Sequence, residues 1–488
     1  MPKLHMDPQN IDCTVSQGTN LMTALQDSHV FLDAPCGGNG KCGKCKVLVD
    51  GQEVLACQIT VDADMTVTIP DKSGLHVLQT GIAVNQRLDP IRDGYLLAFD
   101  IGTTSVVCFL LDGKSGAELA KSSMLNPQAS FGADVISRIQ AALRGELEQE
   151  TKIIREGMTS LILQVCADAK IDPAEIGVVS VVGNPAMQQL FLGISPENLA
   201  GVPFAPALTE AKTIPCESIL PICTIAVMLV IPDISGYIGA DTMGCVLSTE
   251  LYKKEEITLM VDIGTNGEMV LGNKDRMIAC STAAGPALEG ANIQFGMRGA
   301  DGAIDHVWLE NGEIKYSVIG GGDAKGICGS GLIDAIAVGL EMGLLNKRGR
   351  ILNEDHVFRI TETIYLTQDD IRQVQLAKGA IYAGIFLMAK QLGLVIQDIQ
   401  KVQLAGAFGN YLNPKSACRI GLIPEELLDK IEAVGNAAGS GAKILACDQA
   451  LLPLTQTLTE KIEFLELASL PEFSRTFAKS MNFREGSR

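Results

Sequence analysis

The stretch Ala98-Phe99-Asp100-Ile101-Gly102-Thr103-Thr104-Ser105-Val106-Val107 sets the strongest limit on how this chain can fold. It reads as a buried strand ending in an acid, a tight Gly-Thr-Thr turn and a second strand. Such a hairpin turns backbone N–H groups and two hydroxyls towards one point while the carboxylate stands beside them, an arrangement that holds a phosphate and its divalent cation. Met260-Val261-Asp262-Ile263-Gly264-Thr265-Asn266-Gly267-Glu268-Met269 repeats the plan. Two such hairpins predict a duplicated α/β nucleotide-binding fold with its cleft between the halves.

At 488 residues the chain exceeds one comfortable core, so two or three domains are expected. A net charge of -18 argues against a nucleic-acid partner, because nothing neutralises a phosphate backbone along its length. No basic and apolar leader opens the chain and no apolar run is long enough to span a bilayer, which predicts a cytoplasmic protein without a membrane partner. Fourteen cysteines in such a chain point to a reduced compartment, most of them as core thiols.

Four cysteines differ. Residues 1–70 read as a small unit of short strands, with Thr19 as the cap of a helix through Leu25. Cys36, Cys42 and Cys45 lie in a glycine-rich loop, and Cys57 approaches from a later segment, at spacings of five, two and eleven intervening residues. A [2Fe-2S] cluster needs four thiolates converging from short loops, with small residues leaving backbone N–H groups free for the cluster sulfurs. A tetrahedral zinc site more often uses two Cys-x-x-Cys knuckles, and only Cys42 and Cys45 form one. The stretch resembles the plant-type and adrenodoxin-like ferredoxins, which implies a β-grasp fold that passes one electron at a time.

Residues 71–93 read as a linker with a strand-like Leu75 to Leu78, 94–256 as the first half of the body and 257–488 as the second. Glu146, Glu148 and Glu150 are expected on the solvated face of a helix running to Val165. Gly236 to Asp241 opens another helix, and Val402 to Asn410 reads as a strand delivering a glycine turn, the expected place of a purine or ribose contact. Ala437 starts a last core helix, Ile462 to Leu467 reads as an edge strand, and Phe473, Phe477 and Phe483 of the tail as packing residues. The five histidines form no metal-spaced pair. A Gly-x-x-x-x-Gly-Lys-Thr/Ser loop and a Gly-x-Gly-x-x-Gly turn after the first strand are both missing, against a P-loop ATPase and a dinucleotide oxidoreductase.

The two hairpins with the Gly406 turn resemble the actin/hexokinase/Hsp70-type fold. More particular are Asn126-Pro127-Gln128, Gly132 to Ile136, Gly183-Asn184-Pro185, Gly285-Pro286-Ala287-Leu288-Glu289-Gly290-Ala291 and Lys325 to Gly331. With a ferredoxin-like N-terminus they resemble the reductive activators of corrinoid proteins. That resemblance implies an ATP-hydrolysing iron–sulfur reductase that returns cob(II)alamin to cob(I)alamin in the corrinoid proteins of anaerobic methyl-transfer and O-demethylation metabolism. It also implies a low-potential ferredoxin or reductase as donor, and a homodimer. Asp100 and Asp262 are expected at Mg²⁺ and its waters, Gly102, Thr103, Thr104, Gly264, Thr265 and Asn266 at the phosphates of ATP, and Gly406 and Gly409 on the nucleoside side. Glu268 is a candidate to orient the attacking water, or a structural residue of its strand. Family members generally carry a further small domain before the body, where this chain has only residues 71–93. An electron injector for a non-corrinoid enzyme, a kinase with a fused ferredoxin and an ATP-responsive redox sensor are the alternatives.

Overall fold

The computed structural model describes residues 1–7, 11–28, 30, 32, 40, 45–69 and 87–484. Cys36, Cys42 and the expected Leu75 to Leu78 strand lie outside the described residues.

The N-terminal unit is built on a five-stranded sheet in the order Ile11–Thr14, Lys3–Asp7, Met65–Thr68, Lys46–Val49, Gln52–Leu55, with the first and last strands of the unit's chain, Lys3–Asp7 and Met65–Thr68, parallel at its centre. Alternation puts Leu4, Met6, Val47 and Val67 on one face, where Leu21, Ala24 and Leu25 of the helix Leu21–Asp27 close the core. Thr19 is not the helix cap: its hydroxyl donates to the Ser16 carbonyl, and Asn20 Oδ1 accepts from the Met22 N–H instead. This is the β-grasp ferredoxin-like unit.

Each half of the body repeats one pattern. In the first, the antiparallel strands Tyr95–Ile101, Ser105–Asp112 and Glu118–Leu125 are extended by the parallel strands Ile176–Gly183 and Val227–Val230, with Lys212–Pro215 at the edge. In the second, Thr258–Ile263, Gly267–Gly272 and Met277–Thr282 form the antiparallel part, Lys401–Ala405 and Ile431–Gly435 the parallel part, and Ile462–Phe464 pairs parallel at the far edge. This is the duplicated actin/hexokinase-like architecture.

Tyr95–Ile101 reads as a continuous apolar run because both its faces are covered. Leu97, Phe99 and Ile101 pack under the helices Leu147–Ala169 and Pro185–Leu192. Leu96 and Ala98 belong to a central core that also holds Met243, Val246 and Leu247 of the helix Ala240–Ser248 and Ala438, Ala442 and Leu445 of the helix Ala437–Cys447. Those two helices, one from each half, touch backbone to backbone: a Cβ on Gly441 would fall onto Gly244, so glycine there permits the crossing.

Three expectations change. Gly145, at φ 100°, breaks the helix between Val135–Ala141 and Leu147–Ala169 and re-aims the second segment. Glu150 is buried rather than solvated, whereas Glu148 is exposed, and burial pushes the Glu150 carboxyl up to about 8 against the pull of the Arg138 charge. The tail holds the additional helices Leu451–Lys461 and Phe473–Ser480, with Phe473 and Phe477 stacked and Phe483 buried. Cys57 lies in a one-turn 3₁₀ helix, Ala56–Gln58, and not in a strand. Among the described residues no helix is long and apolar enough to cross a membrane.

Candidate nucleotide cleft and cluster site

In the first hairpin Asp100 is the last but one residue of the strand and the Gly102 N–H closes the turn on the Ser105 carbonyl at 2.9 Å. A Cβ at Gly102 would stand 2.9 Å from that carbonyl oxygen, so the turn admits little else. Three residues from other elements fix its shape. Asn126 Nδ2 donates to the Gly102 carbonyl at 2.8 Å, the Arg138 guanidinium to the Thr103 carbonyl at 2.6 Å, and Asn184 Nδ2 to the Thr103 hydroxyl at 3.1 Å. All three are buried, so the hairpin is pre-organised before any ligand arrives.

In the second hairpin the Gly264 N–H closes on the Asn266 carbonyl at 2.9 Å, and Asp262 stands directly opposite Glu268 across the antiparallel pair. Gly406, at φ 81°, passes under Asp262: a Cβ there would lie 2.5 Å from Asp262 Oδ1. Gly409 is not brought to the cleft. It lies in the helix Gly406–Tyr411 with its α-carbon turned against Leu404.

The cleft encloses about 510 Å³, and Asp100, Thr103, Thr104, Gly264, Thr265 and Gly406 all line it. Four carboxylates share its floor: Asp100, Asp262, Glu268 and Asp241, the last from the first turn of the helix Ala240–Ser248. Desolvation leads the effect on each. Asp100 is pushed up to about 7 although Asn436 Nδ2 donates to it at 2.9 Å, with Asp262 adding like charge. Asp241 is pushed to about 7 despite the Thr242 N–H at 2.7 Å, and Asp262 to about 6. Glu268 rises well above the carboxylate range through burial beside Asp241 and Asp262. Cys245 directs its thiol to Asp262 Oδ2 at 3.7 Å.

So many carboxylates in one pocket ask for a cation. Among the described residues, however, no three His, Cys, Asp or Glu side chains converge on a metal position. That fits Mg²⁺, which keeps several waters and is held by one or two carboxylates together with phosphate oxygens rather than by a protein cage. The volume, the paired hydroxyls and the helix N-termini at Asp241 and Asn436 suit a nucleotide phosphate chain.

Sequence reasoning missed Asp241, Glu289 and Asn436. The Glu289 carboxylate accepts from the Thr104 hydroxyl at 2.7 Å and from the Thr265 hydroxyl at 2.8 Å, touching both hairpins. Asn436 was legible as an N-cap before an apolar helix, and Glu289 as an acid inside a glycine-bounded turn; neither signal gives a direction to the side chain. Of the cysteines beyond the cluster set, Cys328 lines the cleft beside Ser330, whereas Cys280 is a core thiol on Met388.

At the N-terminal unit the Cys45 and Cys57 sulfurs lie 3.3 Å apart, and both are free thiols. That separation is well beyond a disulfide's bond length of about 2.05 Å and brings two thiols together as ligands of one iron require. The two described donors, Cys45 and Cys57, therefore fit an iron–sulfur cluster.

Comparison with known proteins agrees with this layout. Residues 4–65 match the 2Fe-2S iron-sulfur cluster binding domain, 95–254 the RACo middle region and 256–487 the C-terminal domain of RACo, the ASKHA domain. The chain is 34% identical to the corrinoid activation enzyme RamQ of Eubacterium limosum, covering 96% of this chain and 97% of the relative. That alignment runs over 579 positions, so RamQ carries a stretch with no counterpart here. The [Co(II) methylated amine-specific corrinoid protein] reductase of Methanosarcina barkeri is 28% identical, with 80% and 77% covered. A solved structure, a reductive activator for a corrinoid, iron-sulfur protein, superposes with a TM-score of 0.75 at 30% identity, over 99% of this chain and 98% of its own. On fold, domain content and identity along nearly its whole length, the chain belongs to the family of reductive activators of corrinoid proteins.

Proposed function

We propose that this protein uses ATP to drive the transfer of one electron from a [2Fe-2S] cluster to a corrinoid protein, reducing inactive cob(II)alamin to cob(I)alamin. The observation that carries this reading is the union, in one chain, of a cluster-type cysteine set with a carboxylate- and hydroxyl-lined nucleotide cleft. Cys36, Cys42, Cys45 and Cys57 hold the cluster, which supplies single electrons when bound. Asp100 and Asp262 face Mg²⁺ and its waters. Gly102, Thr103, Thr104, Gly264, Thr265 and Asn266 take the phosphates, and the Gly406 turn bounds the nucleoside side. Glu268 orients the attacking water, a reading supported by its place on the floor opposite Asp262.

Reduction of Co(II) to Co(I) is uphill for an ordinary low-potential ferredoxin, so ATP hydrolysis makes the transfer effectively irreversible. The electron reaches the cluster from a low-potential ferredoxin or reductase. The net charge of -18 favours protein partners of complementary charge over nucleic acid. We further propose a homodimer, as the family resemblance implies, and a place in the cytoplasm, the latter supported by the free thiols of all described cysteines.

The test follows the cobalt spectrum of a corrinoid protein trapped as Co(II), anaerobically, with this protein, a low-potential reductant and Mg²⁺, with and without ATP. Co(I) appearing only with both protein and ATP supports the reading. No Co(I) from an intact-cluster protein, with several corrinoid partners tried, turns it towards a sensor or another acceptor.

A further inference from the structure

Thr104 belongs to the first hairpin and Thr265 to the second, yet one carboxylate holds both hydroxyls: Oε2 of Glu289 takes Thr104 at 2.7 Å and Oε1 takes Thr265 at 2.8 Å. These are short, charge-assisted hydrogen bonds, and the first crosses from one half of the body to the other. The span between two carboxylate oxygens is close to that between two oxygens of a phosphate, so the hydroxyls are already set for an oxyanion. Glu289 ends the turn Pro286–Glu289, with Gly285 at φ 77° before it and Gly290 at φ 78° after it. A Cβ on Gly285 would meet nothing within 4 Å, so the turn is not clamped at that end.

We propose that Thr104, Thr265 and Glu289 together read the terminal phosphate of the nucleotide. Without nucleotide the carboxylate keeps the two hydroxyls in place. The terminal phosphate of a triphosphate takes those hydroxyls and expels the carboxylate, because two anions cannot share the same donors. A diphosphate leaves Glu289 where it is. The hydrogen bond across the cleft thus passes from a side chain to the ligand only when the third phosphate is present, so the two hydroxyls favour triphosphate over diphosphate and Glu289, competing for them, sets how much of that preference is realised. The inference rests on the reading of the cleft as an ATP site.

Calorimetric titration of the full chain with Mg²⁺-ADP and with a non-hydrolysable Mg²⁺-ATP analogue tests it without recourse to turnover. Removing the competing charge in Glu289→Gln is expected to tighten the triphosphate analogue by roughly tenfold, leaving ADP within about twofold. Thr265→Val is expected to weaken the analogue and again spare ADP, and it carries the test if Glu289→Gln melts early. An equal change for both nucleotides, or a weaker analogue in Glu289→Gln, overturns the proposal while leaving the ATP site intact. A wild-type chain that binds neither nucleotide overturns the ATP reading itself.

Discussion

Asn436 donates through Nδ2 to Asp100 Oδ2 at 2.9 Å, joining residues 336 positions apart on opposite halves of the body. The same side chain accepts the Gly439 N–H at 2.6 Å and so caps the helix Ala437–Cys447. One amide therefore starts a central helix and relieves the charge of a carboxylate on the cleft floor. Asn436→Ala is expected to lose about 1–3 kcal/mol, cap and donor together. Asn436→Asp keeps the cap acceptor but sets a like charge beside Asp100, so its urea midpoint should stay below the wild type. A midpoint equal to wild type for the Asp variant sinks the role given to the cross-cleft donor.

Asp262→Asn should move stability and binding in opposite directions. The carboxylates of the floor repel one another when no cation is present, and Asp262 adds to the charge burden of Asp100, Asp241 and Glu268. Neutralising it should stabilise the nucleotide-free protein by about 1–2 kcal/mol. The rise in melting temperature on adding Mg²⁺-ADP should vanish. Thermal unfolding with and without Mg²⁺-ADP checks both, and a retained Mg²⁺-dependent rise removes Asp262 from the metal.

The crossing at Gly244 and Gly441 leaves no room for a methyl group. Gly441→Ala must push apart the two helices whose N-terminal ends carry Asp241, in the first turn, and Asn436, as the cap. The expected cost is about 1–3 kcal/mol, with nucleotide affinity falling alongside. Circular dichroism melting reads the first effect, and a melt coincident with wild type would show that the helices separate freely.

Lys378 adds a pH dependence of its own on the alkaline side, opposite in sign to that of the raised carboxyls. Its ammonium is buried, donates to the Asn482 carbonyl and sits 5.3 Å from the centre of the Phe483 ring. Burial, then the nearby Arg484 charge, bring it down to about 7. The unfolded chain therefore binds this proton more tightly than the folded one, and the contribution of Lys378 to stability should rise as pH climbs from about 7 towards the ordinary lysine value of about 10.4. Below about pH 7 the burial penalty is complete. Lys378→Met should flatten that slope and stabilise the protein at neutral pH by about 1–3 kcal/mol, despite the lost hydrogen bond. Urea titrations across that pH range settle it; a slope unchanged in the variant refutes the assignment.

The hairpins and several of the helices were legible because each depends on neighbours close in sequence: a strand's apolar run, a Gly-Thr turn, an Asn or Thr before a helix. The two carboxylates Asp100 and Asp262 came with them, since a strand end fixes where its last side chain stands. Gly406 was legible as a glycine turn at a strand end, but not that its backbone passes beneath Asp262. Glu150 was misplaced because an acid's burial depends on the distant elements that its helix face meets, here those around Arg138 and Gln128.

By itself the sequence determined the duplicated fold, the ferredoxin-like head with its four cysteines, and which two turns face the cleft, for these are local patterns repeated in one chain. The tertiary structure alone decided that Asp241 joins the acid cluster, that Asn436 serves Asp100 and that Glu289 spans both hairpins. Each of those contacts joins elements that approach only once two separate sheets have packed their helices together. No periodicity along the chain encodes the direction in which such a side chain crosses the cleft.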